Sequence, residues 1–68
     1  MSDFKNRLEI EIEELTSRIE KLDNYIDSDY MGHDVGRTQS SLLRVQLKCM
    51  ETYLEILTSR LFDINERY

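Results

Sequence analysis

The side chains best suited to acid–base or nucleophilic chemistry are His33 and Cys49, the single histidine and the single cysteine of this sequence. A general base acts on a nucleophile or substrate held beside it, and no such set of partners accompanies His33. We therefore interpret His33 as an exposed loop residue. Cys49 falls on an apolar helix face, where a cysteine usually acts as a small buried hydrophobic residue. The sequence thus predicts no catalytic residue and a protein that is not an enzyme.

The glutamates between Glu9 and Glu14 are the densest group of possible metal ligands. Calcium-binding loops place their ligands at loop spacings around a turning glycine, and this segment has neither. Gly32 and Gly36 lack the preceding strand and the Gly-Lys-Ser/Thr ending of a phosphate-binding loop. We therefore predict neither a metal site nor a cofactor, and we interpret the glutamates as a solvated helix face.

Basic residues near the two ends of the chain form a candidate anion site. An antiparallel hairpin would bring Arg7 together with Arg60 and Arg67, and guanidinium groups bind phosphate through paired hydrogen bonds. The alternative is that these arginines are surface charges or ion-pair partners. The net charge of −5 argues against binding of duplex nucleic acid, which requires a basic face. It is compatible with a small anion held by a few arginines.

Two helices are expected to position these residues. The chain has no proline, and both glycines lie near its middle, where a hairpin would turn. The first helix begins after a cap at Ser2 or Asp3, and the second begins near residues 38–41. In each helix, apolar residues recur every three or four positions, as in a helix that packs along another. These seams are Phe4, Leu8, Ile12, Leu15, Ile19, Leu22 and Ile26, and Leu43, Leu47, Met50, Leu54, Leu57, Leu61, Ile64 and Tyr68.

Oppositely charged residues four positions apart are expected to form ion pairs that stabilise both helices, because such residues are neighbours on a helix surface. The predicted ion pairs are Arg7–Glu11, Glu14–Arg18 and Asp63–Arg67.

A second apolar stripe runs beside the seam of the second helix and consists of Leu42, Val45, Cys49, Tyr53 and Ile56, with Phe62 beyond its end. One partner helix covers only one stripe, so two stripes indicate a further partner. A chain of 68 residues buries too little surface to be stable without a disulfide, a bound metal or oligomerisation. Its single cysteine excludes an intrachain disulfide. We therefore predict a single all-α domain over residues 1–68, an antiparallel two-helix hairpin that assembles into a homo-oligomeric helical bundle.

The connector between the helices, about residues 27–40, is longer than is typical in helical bundles. It either forms a short extra helix or lies on the hairpin. No apolar stretch approaches the ~20 residues of a membrane span, and the N-terminus has no signal-peptide pattern. We expect no membrane association, and a protein that stays in the reducing compartment where it is made.

Two segments of the sequence carry a family resemblance. Residues 18–26 read R-I-x-K-L-x-x-Y-I, and residues 42–60 read L-L-x-x-Q-L-x-x-M-x-x-Y-x-x-x-L-x-x-R. With these motifs, the chain from about residue 15 to residue 61 resembles the anti-CBASS sponges, small phage helical-hairpin proteins that counter cyclic-oligonucleotide signalling. Their hairpin is shared with anti-Thoeris sponges. The informative positions are Gln46, Met50 and Tyr53, because the leucines are those of any helical seam.

The resemblance implies a homo-oligomer, commonly a hexamer, that works in the cytoplasm of the infected bacterial host. Such a protein binds cyclic di- or trinucleotides, including cGAMP-like messengers, in pockets between protomers. It carries out no chemistry, and sequestration of the messenger keeps the host effector inactive. The alternative that the sequence leaves open is a coiled-coil hairpin that binds a protein partner.

The resemblance also implies ligand-binding positions. Lys21 matches a position at which the family places a phosphate-contacting lysine. Asn6, Arg7 and Arg60 correspond to a second pocket, for trinucleotides. The family resemblance implies an aromatic residue near position 6, but this sequence has Asn6 there. Tyr30 or Tyr68 is the alternative source of an aromatic ring for base stacking. The predicted ligand-binding residues are Lys21, Asn6, Arg7, Arg60, Tyr25, Met50 and Tyr53.

Overall fold

A computed structural model describes residues 2–28 and 31–67 of the chain. Helix α1 spans Ser2–Ile26 and helix α2 spans Met31–Arg67, and the two pack against each other as a hairpin. The molecule measures 49 × 15 × 14 Å. Within the described residues there is no strand, and neither helix contains an apolar segment of the length needed to span a membrane. The predicted all-α two-helix hairpin is confirmed.

The core lies along the predicted seams. Leu8, Leu15 and Leu57 form its buried centre, and Leu57 is completely inaccessible to solvent. The remaining seam residues that pack against this centre are Ile12, Ile19, Met50, Leu54, Leu61 and Ile64. The periodicity located the core correctly, because residues three and four apart share one helix face.

Phe4 departs from the seam prediction. Its side chain is 48% exposed, and its ring lies under the guanidinium group of Arg60 instead of entering the core. The last residue of the second predicted seam, Tyr68, lies outside the described residues.

The second helix begins earlier than the predicted residues 38–41, but the part that carries the seam begins after a backbone break at Gly36, close to the predicted start. Helix α2 begins at Met31 and is interrupted at Gly36, where the backbone (φ 79°, ψ 178°) leaves the helical region. The residues before the break form a short helical segment, which was one of the two alternatives for the connector. Burial explains its position: Met31 and Ile26 are both buried at the closed end of the hairpin. His33 is exposed as expected, but it lies in this helical segment and not in a loop.

Helix α1 ends in a compact turn. Both the backbone N–H and the Oγ hydroxyl of Ser28 donate hydrogen bonds to the carbonyl oxygen of Tyr25, at 3.1 Å and 2.6 Å. The carbonyl groups in the last turn of a helix have no partner within the helix, so these hydrogen bonds stabilise its end.

Two of the three predicted ion pairs are present. Arg18 lies 3.9 Å from Glu14, and Arg67 lies 3.0 Å from Asp63. The Arg7–Glu11 prediction is wrong: the described residues contain no such ion pair. The Nε of Arg7 donates to the carbonyl oxygen of Asp3 at 3.4 Å, and the Glu11 carboxylate accepts a hydrogen bond from the other helix.

The second apolar stripe of α2 is exposed along its whole length: Leu42, Val45, Cys49, Tyr53, Ile56 and, beyond its end, Phe62. The expectation that Cys49 is buried is therefore wrong for the single hairpin. The reason is geometric: in the part of the chain that the structure describes, α1 alone packs on α2, and it covers the seam but not the second stripe.

Candidate functional site

A surface pocket of about 270 Å³ lies between the first turns of α1 and the C-terminal part of α2. Phe4, Arg7, Leu8 and Glu11 line it from α1, and Arg60 lines it from α2. Leu8 belongs to the buried core, so the pocket has an apolar base beneath two guanidinium groups and one carboxylate. The antiparallel hairpin brings Arg7 and Arg60 together because it places the start of one helix beside the end of the other.

Arg60 and Phe4 form a cation–π contact at the rim of this pocket. The guanidinium carbon of Arg60 lies 5.9 Å from the centroid of the Phe4 ring, close to the outer limit of about 6 Å for such contacts. Both groups are planar and accessible, so together they offer two flat surfaces on which a heterocyclic base can stack.

A hydrogen bond between the helices borders the same pocket. The Tyr53 hydroxyl donates to Oε2 of Glu11 at 2.5 Å. This hydrogen bond, together with some loss of solvent and the negative charge of Glu11, raises the pKa of Tyr53 above its usual value of 10.0, and the positive charge of Arg60 partly opposes the rise. The phenol therefore stays protonated at physiological pH and keeps its hydrogen bond to Glu11.

The structure distributes the other predicted ligand-binding residues over the hairpin. Asn6 is exposed on α1 but does not line the pocket. Lys21, also exposed, lies 14 residues after Arg7 in the same helix, or about 21 Å along its axis at 1.5 Å per residue. Half-buried Tyr25 lies one turn further, near the end of α1. Met50 packs on the core.

Of the predicted ligand-binding residues, Arg7 and Arg60 therefore line the pocket between the two helices. Tyr53 contacts the pocket through its hydrogen bond to Glu11. Arg67 is engaged with Asp63 and does not line it. Tyr30 and Tyr68, the aromatic alternatives, lie outside the described residues.

Sequence reasoning missed Phe4, Leu8 and Glu11 as pocket residues. Phe4 and Leu8 were assigned to the core seam, and Glu11 to a solvated acidic face. A usable signal was present: Phe4 lies three residues before Arg7 and four before Leu8, and Glu11 lies four residues after Arg7 and three after Leu8, so the four positions share one face of α1. Phe4 is an aromatic residue beside Arg60, close to the position at which the family resemblance called for one.

Two shallower grooves follow the second stripe of α2. One, of about 450 Å³, contains Arg60, Ile56 and their neighbours Glu55, Ser59 and Asp63. The other, of about 350 Å³, is lined by Lys48, Cys49, Thr52, Tyr53 and Ile56. Among the described residues no three metal-ligating side chains cluster. Within the described residues, ligand-binding chemistry is found in the pocket between the first turns of α1 and the C-terminal part of α2, and along the apolar stripe next to it.

The chain matches the Sequestin family model over residues 2–63. Neither the curated proteins nor the solved structures contain a significant match. Sequestins are phage sponges for the cyclic nucleotide signals of CBASS and Thoeris defence, so the match confirms the resemblance drawn from the sequence. The matched region includes all of α1, α2 as far as Asp63, and every residue that lines the described pockets. The chain belongs to the sequestin family.

Proposed function

We propose that this protein is a non-enzymatic sponge that binds cyclic di- or trinucleotides and withholds them from host effectors of CBASS-type or Thoeris-type defence. The observation that carries the proposal is the convergence of Arg7, Arg60 and Phe4 on one pocket in a chain of the sequestin family. Such a protein needs only binding groups, and it acts in the cytoplasm of the infected bacterium, where the signals are made.

The pocket chemistry suits a nucleotide. Arg7 and Arg60 supply charge-assisted hydrogen bonds to phosphate oxygens, and Phe4 supplies a stacking surface for a base. A base placed between the Phe4 ring and the Arg60 guanidinium needs two stacking gaps of about 3.5 Å, or about 7 Å in all. The present separation is 5.9 Å, so a small movement of the flexible arginine side chain admits the base.

The proposal includes self-assembly, with a hexamer as the expected size. Arg60 lines both the pocket and the groove that contains Ile56 of the second stripe. A second protomer that covers this stripe would therefore stand next to the pocket and extend its walls. Lys21, Asn6, Tyr25 and Met50 are candidates for further ligand contacts within such an assembly.

Native mass spectrometry with a panel of cyclic dinucleotides, cyclic trinucleotides and cyclic ADP-ribose isomers tests this proposal. We expect an oligomer that retains unmodified ligand at a fixed stoichiometry, and a melting temperature that rises with ligand concentration, because the ligand binds only the folded state. Absence of binding to every member of the panel at high concentration would reject the sponge function. Cleaved ligand would instead indicate an enzyme.

A second candidate function is a coiled-coil module that binds another protein, and the exposed second stripe favours it. This candidate predicts a monomer or dimer in isolation and a tighter complex once the partner is added. An assembly formed by the purified chain alone, with cyclic nucleotide bound, excludes it.

A further inference from the structure

The Glu11 carboxylate is the one group in the pocket that does not suit an anion. It lines the same pocket as Arg7 and Arg60, and a negative charge there opposes phosphate binding. Neither arginine forms an ion pair with it among the described residues. The carboxylate therefore weakens the pocket as a phosphate site unless it contributes to recognition in another way.

Tyr53 occupies only part of the hydrogen-bonding capacity of Glu11. An ionised carboxylate has about four acceptor positions on its two oxygens, and the Tyr53 hydroxyl uses one of them, on Oε2. The same hydrogen bond holds the carboxylate at the pocket wall, because Tyr53 belongs to the opposite helix. Glu11 is thus a fixed acceptor beside a stacking surface.

From this arrangement we infer that Glu11 is a specificity-determining residue that accepts hydrogen bonds from the Watson–Crick edge of a guanine base. The inference deepens the proposed function and rests on it. Bases splayed out of a nucleotide are commonly recognised by stacking and by hydrogen bonds along this edge.

The donor pattern of the bases selects guanine. Its N1–H and N2 amino group are adjacent donors, so a carboxylate can accept from both at once. Adenine and cytosine each place one amino donor beside a ring nitrogen acceptor, whose lone pair faces the carboxylate. Uracil offers a single N–H between two carbonyl oxygens. Only guanine matches both oxygens of Glu11, and a good bidentate contact discriminates between bases by about tenfold or more.

Isothermal titration calorimetry with three cyclic dinucleotides tests this assignment. The probes are cyclic di-GMP, cyclic di-AMP and cyclic di-inosine monophosphate, whose base is guanine without the N2 amino group. For the wild-type chain we expect cyclic di-GMP to bind about tenfold more tightly than the inosine analogue, and cyclic di-AMP to bind more weakly still.

The Glu11→Gln variant should bring the affinities for cyclic di-GMP and its inosine analogue to within about twofold, because the amide has one acceptor and places a donor opposite a donor. Its carbonyl oxygen still accepts from Tyr53, so the hairpin is preserved. Glu13→Gln is the matched control: it removes the same charge from an exposed position of α1 that does not line the pocket, and it should keep the wild-type ratio.

The outcomes separate this inference from the proposed function. If wild-type protein binds the three dinucleotides equally, or if Glu11→Gln keeps the tenfold ratio, Glu11 does not read guanine but the sponge function stands. If no cyclic nucleotide binds at all, both are overturned. If Glu11→Gln does not fold, equal binding of cyclic di-GMP and its inosine analogue to the wild-type chain would still overturn the inference, because that comparison changes the ligand alone.

Discussion

Arg60 connects the separate features of the candidate site. It covers the ring of Phe4 at 5.9 Å, lines the pocket opposite Arg7 and borders the groove along the second stripe. No ion pair engages it among the described residues, whereas Arg67 is held by Asp63. Its guanidinium group is therefore available to a ligand, which makes it the most informative residue to remove.

We expect Arg60→Ala to weaken binding of a cyclic dinucleotide by about 10- to 100-fold, because a hydrogen bond to a charged group contributes roughly 1.5–3 kcal/mol. Arg44→Ala is the matched control, since Arg44 is an exposed arginine of α2 that lines none of the described pockets. The measurement is the dissociation constant by calorimetry. Equal affinities for the two variants would exclude Arg60 from the binding site.

Tyr53 makes the stability of the hairpin depend on pH at the alkaline end. Its pKa is raised above 10.0 in the folded protein, chiefly by the hydrogen bond to Glu11. A group whose pKa is higher in the folded state than in the unfolded state contributes stability below the unfolded pKa, and that contribution is lost as the pH rises through the folded value.

The difference in melting temperature between wild type and Tyr53→Phe should therefore be constant from pH 7 to pH 9 and shrink above pH 10. Thermal unfolding followed by circular dichroism at each pH measures it, and the comparison with the Phe variant removes the effect of other titrating groups. A difference that stays constant to pH 11 would show that the Tyr53–Glu11 hydrogen bond does not stabilise the fold in solution.

At the scale of the helices, Gly36 is the point at which α2 changes direction. Its φ of 79° lies where residues with a Cβ are strained, and a Cβ built there would meet no atom within 4 Å. The requirement for glycine is thus one of backbone conformation and not of space. The break allows the short segment that contains Met31 to pack at the closed end of the hairpin while the rest of α2 follows α1.

Gly36→Ala should destabilise the protein by roughly 1–3 kcal/mol, the usual cost of a residue held in such a backbone region. For a chain of this size that lowers the melting temperature by about 4 °C or more. Gln39→Ala, at an exposed helical position, should change stability by no more than about 0.5 kcal/mol. An unchanged melting temperature for Gly36→Ala would mean that the backbone leaves this conformation without cost.

The whole molecule is a thin hairpin, 49 × 15 × 14 Å, with one apolar seam buried and a second apolar stripe exposed. Single exposed apolar residues are common on proteins, but a contiguous row of them on one helix marks an interaction surface. Ile56 lies in both grooves that follow this stripe, so a charge at this position tests whether the stripe mediates assembly.

Ile56→Glu should convert the proposed oligomer to single hairpins, because assembly would bury an unpaired charge. Helicity by circular dichroism should be retained, since the side chain is 52% exposed in the hairpin. Thr58→Glu introduces the same charge at an exposed position outside the stripe and should leave the assembly intact. Light scattering coupled to gel filtration measures both, and an Ile56→Glu protein of wild-type mass would show that this face is not the interface.

Residue spacing alone determined the two helices, their antiparallel pairing, the core seam and the second stripe, because helical periodicity and chain direction are local properties. The same reasoning brought Arg7 and Arg60 to one end of the hairpin. It did not place Phe4 beside Arg60 or Tyr53 on Glu11, 42 residues away, because these contacts depend on the register and rotation of one helix against the other. Residue spacing also did not predict that α2 begins at Met31. The start of the helix there follows from burial of the Met31 side chain, which is a tertiary contact.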